Sequence, residues 1–151
     1  MKKLIVSIAA VILLFTGFSI VNSRSNDTCI NLYVDYASLD NGKKIKTCVD
    51  SSTDMLALDV LRKANIKVEG TQKYGLGVVC RINGLPDRSV ESCEVMPPED
   101  AFWAIIIKEK KILPIPSSEW GWGQLAVDKQ FLSPGDSIGF VFNKDGDIIF
   151  P

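Results

Sequence analysis

The sequence predicts an α+β domain, a mixed sheet with one main helix, and three observations predict it. Apolar and polar residues alternate in several short runs, the mark of half-buried strands. Only one stretch carries apolar residues at helical spacing, and it follows the first two strand-like runs. Four cysteines lie downstream of an apolar amino-terminal segment, as in exported chains stapled by disulfides.

Lys2 and Lys3 precede an uncharged stretch, Leu4 to Val21, interrupted by Ser7, Thr16, Gly17 and Ser19. This is the pattern of a secretory signal, with Val21 and Ser23 suited to cleavage after Ser23. The expectation is a signal peptide over 1–23, or an uncleaved amino-terminal anchor, because about 20 apolar residues cross a bilayer. Both assign the domain at 24–151 to the extracellular space or cell envelope, with the membrane touched only through an uncleaved amino-terminal segment. No apolar-plus-small lipobox precedes Cys29, which argues against a lipid anchor there. Cleavage leaves 128 of the 151 residues and, without Lys2 and Lys3, a net charge of 15 minus 18, or −3. A chain of that size buries about two thirds of its unfolded surface.

Cys29, Cys48, Cys80 and Cys93 allow three pairings. Cys29 with Cys48 and Cys80 with Cys93 are favoured, because each closes a short loop around a turn and stabilises by roughly 3 kcal/mol through lost chain entropy. A four-cysteine metal site would need paired CxxC spacing, which is lacking.

Taken in order, Ile30, Leu32, Val34 and Tyr36 alternate with Asn31, Tyr33 and Asp35, and predict a strand. Asp40-Asn41-Gly42 is a turn, and Lys43 to Val49 returns as a second strand. A hairpin centred on that turn sets Cys48 opposite Tyr33 or Asp35, so that Cys29 must curl back to reach it. Ser51 to Asp54 offer capping oxygens and a negative charge for a helix start. Ala57, Leu58, Leu61 and Ala64 then form one apolar stripe, Asp59 pairs with Lys63, and the helix ends near Asn65 after about three turns. A short strand is expected over 67–69, and a turn-rich loop from Gly70 to Gly77. Val78, Cys80 and Ile82 predict a strand stopped by Asn83-Gly84. Leu85 to Asp100 has no periodicity and reads as a surface excursion held by Cys80 and Cys93. Phe102 to Ile107 is continuously apolar, as in a central strand covered on both faces, with Glu109 to Lys111 as its polar turn. Ile112 to Gly123, with two prolines and Trp120-Gly121-Trp122-Gly123, reads as irregular chain. Ser133 to Asp136 is a tight turn, Ile138, Phe140 and Phe142 are the inner side of another strand, and Asp145-Gly146 marks a last hairpin before 148–150. Two strands, a helix and further strands suggest a sheet covered on one face, in the manner of a β-grasp fold.

Composition narrows the chemistry. The chain has no histidine, which removes Ser-His-Asp and Cys-His catalysis and any zinc site mixing histidine with cysteine. Its near-neutral charge offers no footprint for nucleic acid. Asn143, Asp145 and Asp147 have calcium-loop spacing, but glycine falls at the fourth position instead of the sixth and no distal glutamate follows. Tyr74-Gly75-Leu76-Gly77 runs into a strand, whereas a phosphate cradle runs into a helix. Glu99 and Asp100 are adjacent in a proline-bounded loop, and nothing separates an acid from a base. Neither an enzyme nor a cofactor or metal site is expected. Tyr74, Phe102, Trp103, Trp120 and Trp122 lie in or beside glycine-rich segments. Trp103, inside an apolar strand, is expected in the core. Trp120, Trp122 and Tyr74 are the candidates to line a shallow site for a ring-shaped ligand.

Read as a series, Tyr33-Val34-Asp35-Tyr36, Tyr74-Gly75-Leu76-Gly77, Ile82-Asn83-Gly84, Phe102-Trp103 and Gly135-Asp136-Ser137-Ile138 resemble the transcobalamin-like C-terminal domain family over about residues 28 to 143. Val79-Cys80-Arg81-Ile82, then Cys93 and Pro97-Pro98, is similar to a secreted bacterial branch with the same cysteines, which supports the same pairing. In the vitamin carriers of that family this domain is one of two that close over cobalamin. The resemblance therefore implies a small β-rich ligand-binding or surface-interaction module. The helical partner of those carriers has no counterpart in these residues, and the family's tyrosine-tryptophan is Phe102-Trp103 here, so no cobalamin contact transfers to a numbered residue. The expected function is an exported, non-catalytic domain that binds a small molecule, a corrinoid being one candidate. The alternative is an adaptor that docks on an envelope protein or membrane-transport complex.

Overall fold

Alternation along Cys29–Asp35 (β1) turns Ile30, Leu32 and Val34 into a buried core and leaves Asn31 and Tyr33 on the opposite face. The structure, a computed structural model, describes residues 28–109, 119–144, 148, 150 and 151. The expected signal segment at 1–23, the segment 110–118 and the turn at 145–147 lie outside the described residues. Among the described residues, no helix is long and apolar enough to cross a membrane.

β1 pairs antiparallel with Lys44–Asp50 (β2), and Asn31 faces Cys48. The expected register, with Cys48 opposite Tyr33 or Asp35, is therefore corrected. The connection is longer than the Asp40-Asn41-Gly42 turn alone, closing with Tyr36 N–H on the Lys43 carbonyl at 3.0 Å. Ala37, Asp40, Asn41 and Gly42 all take left-handed φ within it. This places Cys29 and Cys48 two ladder positions apart, with Cα atoms 5.6 Å from each other, and they are bonded without any curling of the chain.

The helix Ala57–Lys63 (α1) is shorter than expected and starts later. Met55–Leu56 (β3) instead pairs with Phe131–Leu132 (β8). The first helical N–H groups are met by distant carbonyls, Ala57 on Gln130 at 2.8 Å and Leu58 on Val127 at 3.2 Å. No side-chain cap is needed, and Ser51 Oγ closes its own turn on the Thr53 carbonyl at 2.6 Å. Asn65, with φ of 57°, ends the helix as expected. Ile66 N–H reaches the Leu61 carbonyl and Asn65 N–H the Arg62 carbonyl, the Schellman arrangement. Asp59 pairs with Arg62 at 3.0 Å and not with Lys63, whose Nζ turns to the Asp50 carbonyl.

Val68–Thr71 (β4) and Gly75–Ile82 (β5) form a separate two-stranded hairpin with irregular register at Gly70. A Cβ on Gly70 would lie 2.1 Å from the Gly75 carbonyl oxygen, so the two backbones pass only because this residue is glycine. The Gly70–Gly77 loop of the sequence reading is thus mostly strand. Val79, Cys80, Arg81 and Ile82 are all buried, Val79 and Ile82 in the main core and Cys80 and Arg81 against the excursion over 85–100.

Ala101–Lys108 (β6) and Ser137–Lys144 (β9) pair antiparallel along their whole length. β9 also lies parallel to β1, and Gly121–Trp122 (β7) adds to the outer edge of β6, giving the order β2-β1-β9-β6-β7. Gly121-Trp122 is therefore strand, not irregular chain. Ile138, Phe140 and Phe142 join β1 and α1 in the main core, with Trp103 edge-on to Tyr36 and Phe142, each at 5.4 Å. The other face is not bare: Tyr33, Ile106 and Val141 form a second cluster under Trp120 and Ile148. The domain is thus α+β, mostly sheet with one α-helix among the described residues, and its disulfides are Cys29–Cys48 and Cys80–Cys93.

Candidate functional site

A strand edge covered along only part of its length is the reason a cleft exists. β6 has eight residues but β7 only two, opposite Ile106 and Ile107. Gly123 makes the last contact, its N–H on the Ile105 carbonyl at 2.8 Å. A Cβ there would press on Ile105 Cγ2 at 2.8 Å, so glycine permits the close pass before the chain leaves the sheet. From Phe102 to Ala104 the edge of β6 then has no strand of the described residues paired beside it.

That open edge is one wall of a cleft of about 360 Å³. Gly77–Val79 of β5 forms the facing wall, Met96 to Glu99 close one end, and Trp122 and Gly123 the other. Met96 is 58% and Trp122 51% exposed, large apolar surface at the mouth. Among the described residues that line the cleft, Glu99 is the one charged group, and none is a lysine or arginine.

The chain leading into the Met96–Glu99 wall is held from inside the protein. Arg81, 3% exposed, donates Nε–H to the Pro86 carbonyl at 3.0 Å, a second N–H to the Glu91 carbonyl, and pairs with Glu69 at 3.2 Å. The Cys80–Cys93 bridge and two backbone bonds, Gln72 N–H to Cys93 and Lys73 N–H to Glu94, add to this. An excursion without secondary structure is thereby fixed against β5.

The three sequence-predicted site residues divide. Trp122 sits on the rim, with Phe150 edge-on at 6.5 Å, and also borders a second depression beyond β7 that Trp120 shares. Trp120 is half-buried and packs on Tyr33 at 6.5 Å, close to Gly139, where a Cβ would meet its ring at 3.3 Å. Tyr74 is 46% exposed at the tip of the β4–β5 hairpin under the Lys73 ammonium, and lines neither depression. Trp103 is buried as expected, its Nε1–H on the Leu85 carbonyl at 3.1 Å. Met96, Pro97 and the open edge of β6 were not legible as site elements. Their one signal is the mismatch between a long apolar strand and the two-residue segment that follows it.

The charged cluster with clear electrostatic character lies on the other face. Asp35 accepts from Tyr33 Oη at 2.7 Å, Lys44 Nζ at 2.7 Å and Ala37 N–H at 2.9 Å. Burial pushes its carboxyl up, and the bonds from Lys44, Tyr33 and Ala37 outweigh this and hold it below the ordinary carboxylate range. Burial, then the Asp35 carboxylate, raises the Tyr33 phenol, and Asp35 raises Lys44. Every member has its partner inside the cluster, so it ties β1 to β2 rather than presenting a free acid or base. The grouping of Cys80, Glu91 and Cys93 has metal-like proximity, but both sulfurs are consumed by their disulfide.

No family model, curated protein or solved structure matches the chain.

Proposed function

We propose that this is an exported, non-catalytic binding domain whose ligand enters the cleft between β5 and β6. The observation that carries the reading is Trp122, half exposed at the mouth of an apolar cleft with fixed walls. Sites of this kind are concave, mostly apolar and pre-formed, with few polar groups to orient the ligand. Among the described residues the lining charge is a single carboxylate, which favours a ligand with an apolar body that is uncharged or cationic, and Trp122 offers its face for stacking or a cation–π contact. A volume of about 360 Å³ is at the small end for such sites, and a corrinoid would insert only one edge.

Export is supported by the apolar amino-terminal segment and by two disulfides, which are compatible with an extracellular location. The β-grasp assignment is supported by topology: the first hairpin, a helix, then β6 and β9, with β1 and β9 parallel at the centre. The transcobalamin-like relationship belongs to the same proposal and rests on the sequence motifs alone.

The test follows the indole N–H resonances of Trp103, Trp120 and Trp122 while the full-length oxidised chain is titrated with cobalamin, dicyanocobinamide and tetraphenylphosphonium. A saturable shift of Trp122, with Trp103 unmoved, is expected for at least the apolar cation. Absence of any response at millimolar concentrations from all three overturns a small-molecule ligand at this cleft.

A further inference from the structure

The open edge of β6 has a polarity that the cleft's side chains lack. Gly123 N–H on the Ile105 carbonyl fixes which way that residue's backbone groups point. In an antiparallel ladder alternate residues point to the same side, so Trp103 directs its N–H and C=O toward the cleft. The opposite side of β6 is fully paired with β9, from Ala101 against Lys144 to Lys108 against Ser137. On the cleft side the Ala101 N–H is taken by the Pro98 carbonyl and the Ile105 carbonyl by Gly123, so the N–H and C=O of Trp103 are the pair that faces the cleft with no strand of the described residues beside it.

Uncovered edges are usually blunted by lysines, prolines or bulges. The other edge of the same sheet obeys this, because β2 exposes Lys44 and Lys46. Phe102 to Ala104 carries no charge, no proline and no bulge against β9. This edge has the chemistry of one kept available for pairing.

The electrical surroundings select the partner. Glu99 lines the cleft and Asp100 follows it in the chain; both are exposed and form no ion pair among the described residues. Among the described residues, Arg81 is buried on Glu69, Arg88 lies 3.8 Å from Glu69, and Lys73 lies 5.1 Å over the Tyr74 ring.

We propose that the occupant of the cleft is an extended peptide of alternating apolar and basic residues, which pairs as an additional short strand with Phe102–Ala104. Its backbone would meet the N–H and C=O of Trp103, its apolar side chains would enter between Met96 and Trp122, and its basic side chains would face Glu99 and Asp100. This is strand addition, in which main-chain hydrogen bonds supply affinity and pockets for alternate side chains supply specificity. It rests on the reading of the cleft as the binding site and names the ligand class.

The experiment uses the full-length oxidised chain and three capped eight-residue peptides: alternating Lys and Val, the same peptide with alternate backbone nitrogens methylated, and alternating Glu and Val. The Lys-Val peptide is expected to shift the Trp122 indole resonance and to slow amide exchange of Trp103 at least tenfold. The methylated peptide keeps every side chain but loses donors on one edge, and is expected to bind at least tenfold more weakly. The Glu-Val peptide is expected to be similarly weak, and Glu99→Lys to narrow the gap between the two charges. Equal binding of the methylated and unmethylated peptides overturns strand addition. A response to tetraphenylphosphonium without one to any peptide overturns the peptide assignment and leaves the cleft a small-molecule site. Silence toward every probe overturns both readings, and self-association through this edge in sedimentation assigns it to a second copy instead.

Discussion

Arg81 reaches from strand β5 to the Glu91 carbonyl through the interior, so a buried cation holds a loop that has no regular structure. Removing it leaves the Pro86 and Glu91 carbonyls without their donor. Arg81→Ala is expected to cost about 3 kcal/mol, since each stranded buried acceptor costs about 1–3 kcal/mol. Chemical denaturation measures this. The same variant is expected to weaken ligand binding at least tenfold under conditions where it is still folded, because the Met96–Glu99 wall loses its anchor.

The Cys80–Cys93 bridge acts on the same loop from one end. It closes a separation of 13 residues, and loop-closure entropy for about that length corresponds to about 3 kcal/mol. Replacing both cysteines with serine is expected to lower stability by that order, with limited proteolysis cutting within 85–100 first. Mass mapping of the unreduced protein should return Cys29 with Cys48 and Cys80 with Cys93. Recovery of a Cys29–Cys80 peptide would overturn the pairing.

Trp120 and Trp122 separate packing from recognition, although they lie two residues apart. Trp120 covers the Tyr33, Ile106 and Val141 cluster, and Trp120→Ala is expected to destabilise by about 2 kcal/mol, below the value for a fully buried ring. Trp122 is half exposed, and Trp122→Ala is expected to change stability by less than about 1 kcal/mol while reducing ligand affinity at least tenfold. Thermal unfolding and the indole titration read the two effects separately. The reverse ranking would move the site to the Trp120 side of β7.

How much of this was legible in the sequence depends on how local each cause is. Ile30, Leu32 and Val34, and likewise Ile138, Phe140 and Phe142, announce their strands because side-chain alternation is written within the strand itself. The start of α1 was misread because Ser51 and Asp54 are good local capping groups. The N–H groups they were expected to satisfy are met by Gln130 and Val127, about seventy residues away. The first hairpin slipped in register because Ala37, which is neither glycine nor asparagine, adopts φ of 46° and lengthens the turn. β3, β7 and β8 contain two residues each, too few to show any period. The cleft was missed for a related reason. Met96 and Phe102 become neighbours of Val78 only after Arg81 and Cys93 have pinned the chain between them.

The Tyr33, Asp35 and Lys44 cluster predicts how stability responds to pH. Asp35 titrates in the folded chain below its ordinary value of 3.8, so the folded state binds its proton less readily than the unfolded state does. Its contribution is therefore fully present above about pH 4 and is lost as pH falls through the lower folded value. Tyr33 and Lys44 are both raised, from 10.0 and 10.5, so their contributions are fully present below those values and are lost as pH rises through the higher folded ones. Asp35→Asn keeps the shape but removes the charge that both neighbours use. It is expected to cost about 1 kcal/mol at neutral pH and to flatten both limbs of the stability profile. Urea denaturation between pH 2 and pH 11 measures them. An acid limb as steep in Asp35→Asn as in the parent would assign acid sensitivity to other carboxylates, of which Asp87, lowered by the backbone N–H and hydroxyl of Ser89, is the next to replace.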